Sequence, residues 1–554
     1  MTMRALIAGL VFSVVLCAMN SYLTLSFGVI EEGPTIAALF FFAVFFLSKT
    51  KITTTEMVIV ATMGSAGGSF GFISNFYAAK AMTGTPYSVT DMALFGIVSS
   101  LVGLVMAVPL RQMLILRDNL PWPGSKAVEA VIRALVEHGD RRQPRILLGV
   151  FLVGLAYVVL NNDGGFGVVP AATVIPGLAG VGGAIAWSPF AIGGSYLMGM
   201  RTCVGFLVGA SALMIIAGLN PELPGVADGS PHRWYWPGLG FLTASGMTVM
   251  VINWRTLTSA IASLVRPSKA DDPDPAMNSR TLAAFATFAF GATVVVLGWR
   301  FAIPILMTVV LILVAGLIQN IIATRAAAQA AFNPARVMGI LLQGVTSALP
   351  GGKSVDINLT GAGFVAGSGG QASLLTGDMV YGAAFRVPTR WQFWTQTLTV
   401  VPCAIVSAYA FEMINADKPL VLDGPGHPAP VAKMWAESAR VFENGIGALS
   451  NDKLIWLGIG AAIGVVYALL EHIPAIRKYL PDAIGIGLGL VLSPANGLSF
   501  FLGGFLLWIV LGRWLKWSDT TLTTIAVGSI VAEGIGGVAQ TGLFNAFAAR
   551  LPGG

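Results

Sequence analysis

Asn20 with Tyr22, Lys353, Asp356, Asp378 with Tyr381, and Glu533 place polar or ionisable groups inside or beside long apolar stretches. Charged groups at membrane depth are costly, so they face a cavity, pair with one another, or carry function. Burial raises a carboxyl pKa towards working pH, which suits Asp378 or Glu533 to carrying a proton. Lys353 and free backbone N–H groups could hold a carboxylate, and Asn20, Tyr22, Gln371 and Tyr381 could supply neutral hydrogen bonds. Plainer readings stand beside these: a structural ion pair between Lys353 and Asp378, and Asp356 in water at the end of a span. Glu533 has about ten uncharged residues on each side, which argues against an interfacial position.

Other chemistries fit poorly. "GGKS" (351–354) resembles the end of a phosphate-binding loop, but the position five before Gly352 is Ser347 rather than Gly, and no strand signal precedes it. An intramembrane aspartyl protease needs two close carboxylates and a Gly-x-Gly-Asp motif; "LTGD" (375–378) has Leu375 in place of the first Gly. His138, His232, His427 and His472 are isolated and form no His-Glu-x-x-His motif. Cys17, Cys203 and Cys403 are scattered through apolar stretches and read as inert core residues rather than a redox or metal set.

The elements that position these groups are membrane helices. Of 554 residues, 55% are hydrophobic and only 10% charged, with a mean hydropathy of +0.78. A bilayer crossing takes about 20 mainly apolar residues, and such stretches recur from end to end. The alternating segments of an outer-membrane barrel are missing. The net charge of +6 comes from basic residues clustered in short loops, so it calls for no nucleic-acid partner. Lys49, Lys51 and the 111–145 cluster (Arg111, Arg117, Arg133, Arg141, Arg142, Arg145) place the N-terminus inside, with Glu31 and Glu32 outside. The first apolar stretch, without a convincing cleavage site, reads as a transmembrane helix rather than a signal peptide. Residues 125–139 form an amphipathic helix, 166–186 and 483–512 read as apolar stretches, and 412–451 as a long outer loop with some local structure.

Three pairs of segments echo one another in the same order: "RALIAGLVF" (4–12) and "RTLAAFATF" (280–288), "SAGGS" (65–69) and "LPGGK" (349–353), "SPFAIGGSYLMG" (188–199) and "SPANGLSFFLGG" (493–504). They suggest a first transmembrane half over 1–265, a polar cytoplasmic linker over 266–280 and a second half over 281–554. Transporters are commonly built from such repeats, with the substrate between them. Ten glycines between 344 and 384 permit either close helix packing or a broken helix with free backbone groups. The "SAGGS"/"LPGGK" echo is taken as a duplicated break.

Several stretches together resemble the oligopeptide transporter family, which includes the yellow-stripe-like metal-chelate transporters. "RALIAGLVFSVVLCAMNSYLTLSFG" (4–28) is similar to its first span through Asn20, Tyr22 and Gly28; "VPLRQMLILRDNLPWPGSKAVEAVIRA" (108–134) to its basic loop with Leu-Pro-x-Pro; "LLTGDMVYGAAFRVPTRWQFWTQ" (374–396) to its acidic segment, with "TGD" where Gln-Asp is more usual; and "IGIGLGLVLSPANGLSFFLGG" (484–504) and "AVGSIVAEGIGG" (526–537) to its closing motifs. The resemblance implies about 16 helices made by duplication. It also implies a secondary transporter, generally proton-coupled, that imports small peptides or peptide-like metal chelates.

The expectation is therefore an all-α polytopic membrane protein of about 14–16 transmembrane or half-membrane helices in two repeated halves. It works as a symporter by alternating access and needs no cofactor beyond a proton gradient, a metal entering only within a chelated substrate. Substrate contacts fall to Asn20, Tyr22, Lys353, Asp356, Gln371 and Tyr381, and proton coupling to Asp378 and Glu533. Lipid and a small peptide or chelate are its partners, with a homo-oligomer possible. Short loops and termini suggest a prokaryotic inner membrane. The alternatives are a membrane-embedded enzyme and a passive channel.

Overall fold

The structure, a computed structural model, describes the chain except residues 29–32, 48–51, 85, 139–141, 162, 164, 253, 255–271, 331–334, 423–425, 446, 448 and 549–554. Glu31, Glu32, Lys49, Lys51, Arg141, the head of the 266–280 linker and the start of the 423–430 stretch thus lie outside the described residues.

The described elements are almost all helices. In the first part of the chain they are α1 (Met3–Phe27), α2 (Gly33–Leu47), α3 (Thr54–Thr83), α4 (Val89–Leu110), α5 (Pro123–His138), α6 (Arg142–Leu160), α7 (Met200–Leu219) and α8 (Trp236–Ile252). The second part contains α9 (Ser279–Val295), α10 (Ile305–Leu311, helical onward to Ala330), α11 (Ala335–Ser347), α12 (Val355–Ala384), α13 (Thr389–Asp417), α14 (Pro430–Asn444), α15 (Asn451–His472), α16 (Ala483–Val491), α17 (Pro494–Gly504) and α18 (Asp519–Ala548). Among the described residues, eleven helices are long and apolar enough to cross a membrane, and three shorter apolar ones accompany them. This is an all-α polytopic membrane protein.

α12 is not among those eleven, yet almost its whole length is buried. Its glycines and polar residues make it too weakly apolar to face lipid, and it does not have to, because helices surround it. α3 runs antiparallel to α12 at the centre, with α1, α4 and α13 packed around the pair. The close approach is made by missing side chains: a Cβ on Gly67 would lie 2.1 Å from the Ser13 carbonyl oxygen, and one on Gly103 2.4 Å from that of Ser368. Small residues of this kind let membrane helices touch through their backbones.

The expected breaks are corrected by this packing. "SAGGS" lies inside the unbroken α3, and the glycine-rich 361–384 stretch lies inside the unbroken α12. In each the glycines face neighbouring helices, and the helical hydrogen bonds are kept. Only 348–354 forms a turn before α12. A real break falls elsewhere, at Leu492–Ser493 between α16 and α17, so 483–512 is not one helix.

Two further expectations change. The 166–186 stretch is no span; it carries a short antiparallel hairpin, Ala172–Val174 with Ala184–Ala186. The 412–451 connection is not a simple loop, because α13 reaches Asp417 and α14 packs its buried face on α3, α11 and α12. The described tail of the linker is docked rather than free: Arg111 Nη1 reaches both Asp272 oxygens at 2.8 Å. Asp274 accepts from the Thr389 amide at 2.7 Å and its hydroxyl at 2.9 Å.

The Ser-Pro echo has a structural counterpart. Ser188 caps one short helical segment through the Ala191 amide at 3.1 Å, and Ser493 caps α17 through the Asn496 amide at 3.3 Å. The two segments touch through Phe190 and Phe500, with ring centroids 5.6 Å apart. "RALIAGLVF" and "RTLAAFATF" likewise open α1 and α9, capped by Thr2 and Asn278.

Candidate functional site

Asp378 lies on α12, six residues before its end, or about 9 Å along the axis at 1.5 Å per residue. That end faces the basic region: a Cβ on the adjacent Gly377 would meet Ser125 Oγ of α5 at 2.9 Å and the Trp122 ring at 3.4 Å. Asp378 itself is buried. Around it, Gln392 of α13 donates to the Asp378 carbonyl at 2.7 Å and to Thr62 Oγ1 at 3.1 Å, and Thr62 lies 3.4 Å from Tyr381 Oη. Two turns away, Ser69 donates to Gln371 Oε1 at 2.5 Å. All of these side chains are buried, although their helices are glycine-rich and apolar. Such groups are normally hydrogen-bonded, yet Ser65 Oγ, Gln371 Nε2, Gln392 Oε1 and both amide atoms of Gln396 have no partner among the described residues.

Glu533 sits on α18, fourteen residues beyond Asp519 and so about 21 Å along the helix. The α18 start is beside the α6 start, where Gln143 Nε2 reaches Thr521 Oγ1 at 3.2 Å. Glu533 is therefore much further from the basic face than Asp378. The Ser188 hydroxyl and Phe190 amide lie against its carboxylate; Oε2 has no partner among the described residues. One turn on, Gly537 makes room for Tyr22, whose ring would lie 2.2 Å from a Cβ there. Positions four apart share a helix face, so Tyr22 and Glu533 line the same surface.

His427 meets the Tyr22 ring from the other side, edge-on at 6.4 Å between centroids. Its loop is held by the Ala429 amide on the Leu25 carbonyl at 2.8 Å. Gly28, at φ 69°, leaves room for Pro430. Burial, with Lys418 adding to it, pushes the His427 imidazole down to about 4, and its Nε2 has no partner among the described residues. His232 is likewise pushed down to about 4 by burial and by Lys433.

The sequence-derived residues therefore divide. Gln371, Asp378 and Tyr381 come together on α12, and Tyr22 joins Glu533. Asn20 is buried on α1, its backbone against Gly71 of α3. Lys353 is exposed in the 348–354 turn, and Asp356 pairs with Lys80. Twenty-two residues of helix, about 33 Å, separate Asp356 from Asp378, and Lys353 lies further out still, so a Lys353–Asp378 ion pair is excluded. Cys17, Cys203 and Cys403 are buried and free; Cys17 donates to the Cys403 carbonyl at 3.0 Å.

Sequence reasoning missed Gln392, Gln396 and His427. The signal for the first two was present: Gln392, Gln396, Thr399, Cys403 and Ser407 recur at helical spacing along a span, and all are buried. Nothing comparable marked His427, a lone histidine in a polar stretch.

The family described as "OPT oligopeptide transporter protein" matches residues 1–544. The chain is 22% identical to "Putative oligopeptide transporter YGL114W" of Saccharomyces cerevisiae, covering 96% of this chain and 94% of that one. With the family match spanning nearly every element described above, the chain belongs to the OPT oligopeptide transporter family.

Proposed function

We propose that this protein is a proton-coupled symporter that imports small oligopeptides, or peptide-like metal chelates, by alternating access. The observation that carries the reading is the pair of buried carboxylates at different depths, Asp378 towards the basic face and Glu533 deep in α18. In a chain of this family, two such acids are suited to taking up a proton on one side and releasing it on the other. The basic residues of 111–145 mark the cytoplasmic face, with the N-terminus inside a prokaryotic inner membrane. Tyr22, Asn20, Gln371 and Tyr381 supply neutral contacts to the cargo. Lys353 and Asp356, at the far end of α12, meet it on entry. The capped Ser-Pro segments at 188 and 493 are the counterparts of two duplicated halves that rock about the shared site.

The test is uptake into proteoliposomes with a peptide panel and a pH dye inside. Saturable peptide entry accompanied by internal acidification is expected. Asp378→Asn or Glu533→Gln should abolish accumulation against a gradient while peptide exchange persists. Full gradient-driven uptake in both variants would overturn the proton assignment, and non-saturating flux indifferent to pH would identify a channel instead.

A further inference from the structure

The seam where α13 lies against α3 and α12 holds several buried polar atoms with no partner among the described residues. We propose that Gln371, Gln392 and Gln396, with Ser65, form a subsite that hydrogen-bonds the backbone amides of a peptide, independent of its side chains. This rests on the peptide-transport reading above and names the recognition chemistry within it.

The register brings these residues to one level. α3 and α13 run parallel: Gln392 meets Thr62 at 3.1 Å, and Ser407 meets Ser74 at 3.3 Å further along. Gln396, one turn beyond Gln392, therefore comes level with Ser65 and Ser69. α12 runs the opposite way, with Tyr381 at Thr62 and Gln371 at Ser69. Gln371 thus closes the third side. All four proposed residues are fully buried.

The free atoms fit an amide better than an ion. Gln371 Nε2 and Gln396 Nε2 are donors, while Gln392 Oε1 and Gln396 Oε1 are acceptors. A carboxylate would use only the donors and a metal or ammonium only the acceptors. A peptide bond carries one of each, and the glutamine amide has the same two groups on the same carbon. On the α12 side Gly370 faces the seam, where a Cβ would come no closer than 3.5 Å to Phe72 and 3.8 Å to Ser69 of α3. Buried polar groups without partners are costly, and here the cost is relieved when α13 separates from α3 and α12 and a peptide enters.

The test titrates tri-, tetra- and penta-alanine, and the same peptides with each internal amide N-methylated, against purified full-length protein by thermal shift and calorimetry. In wild-type protein N-methylation should weaken binding about tenfold, the equivalent of one lost hydrogen bond. Gln396→Met, close to isosteric, should weaken the unmodified peptide similarly and lose most of the N-methyl penalty while melting normally. Gln371→Met gives the same readout should Gln396→Met fail to fold. Equal affinities, or an unchanged N-methyl penalty in a folded variant, would overturn the subsite and leave peptide transport standing. If wild-type protein binds none of the peptides, the subsite and the peptide reading fall together, whereas proton-coupled chelate uptake would still be measurable.

Discussion

Gln392 Nε2 donates both to the Asp378 carbonyl at 2.7 Å and to the Thr62 hydroxyl at 3.1 Å, so one side chain on α13 ties α3 to the turn of α12 that carries the acid. Gly382 makes this possible: a Cβ there would lie 2.0 Å from Gln392 Oε1. Gly382→Ala should push the amide away and cost about 1–3 kcal/mol through the bonds it loses. A lowered melting midpoint together with reduced uptake is the expected result. Wild-type values of both would show that the Gln392 tie does not hold the acid in place.

The α1–α3 contact depends on backbone approach. Gly67→Ala would set a methyl 2.1 Å from the Ser13 carbonyl oxygen, and a backbone neighbour cannot swing aside. Overpacking of this kind costs about 1–3 kcal/mol. Gly149→Ala on α6 is the control, since nothing lies within 4 Å of a Cβ there; its helix should be unchanged or slightly more stable. Melting of the two variants side by side checks this.

Arg111 and Asp272 are each only 6% exposed and pair with both carboxylate oxygens. Removing one partner of a buried pair strands the other charge at about 3–5 kcal/mol. Asp272→Ala should therefore be strongly destabilising. The double variant Arg111→Met with Asp272→Leu should recover much of the loss, and thermal unfolding of the three variants measures the difference.

Asp356 is 51% exposed in its pair with Lys80, and pairs of this kind contribute about 0–1 kcal/mol. Asp356→Asn should leave the melting midpoint nearly unchanged. If Asp356 meets the cargo on entry as proposed, the same variant should raise the KM for peptide uptake with little change in maximal rate. An unchanged KM would remove Asp356 from the substrate path.

His427 and His232 are held down at about 4, whereas an unfolded histidine titrates near 6.5. Between those values the unfolded chain binds protons that the folded chain refuses, so stability falls as pH drops from about 6.5 to about 4 and is fully present above 6.5. Melting in detergent at pH 7.5, 5.5 and 4.5 should fall in that order. His427→Gln should flatten part of the slope, and an unaltered slope would place the acid sensitivity elsewhere.

The class of protein was legible because lipid imposes a simple rule: long apolar stretches, few charges and basic loops admit little besides a helical bundle. The amphipathic 125–139 helix was equally plain from its periodicity, and Asp378 and Glu533 stood out as ionisable residues in apolar surroundings. The glycine-rich stretches were ambiguous for a physical reason. A glycine that loosens a helix and a glycine that lets two helices touch read the same in one dimension. Only their neighbours separate the cases: at Gly67, Gly103 and Gly382 another helix occupies the space of the missing Cβ, so α3 and α12 stay whole.

Composition, charge and motif by themselves determined a polytopic transporter-like chain and its buried acids. The tertiary structure decided which groups meet. It moved Lys353 and Asp356 away from Asp378, set Tyr22 between Glu533 and His427, and assembled Gln371, Gln392 and Gln396 from helices that run in opposite directions. Helical spacing reports which residues share a face. Which face meets which depends on helix packing, set by where backbones can approach, and that is a property of pairs of helices rather than of any one stretch of sequence.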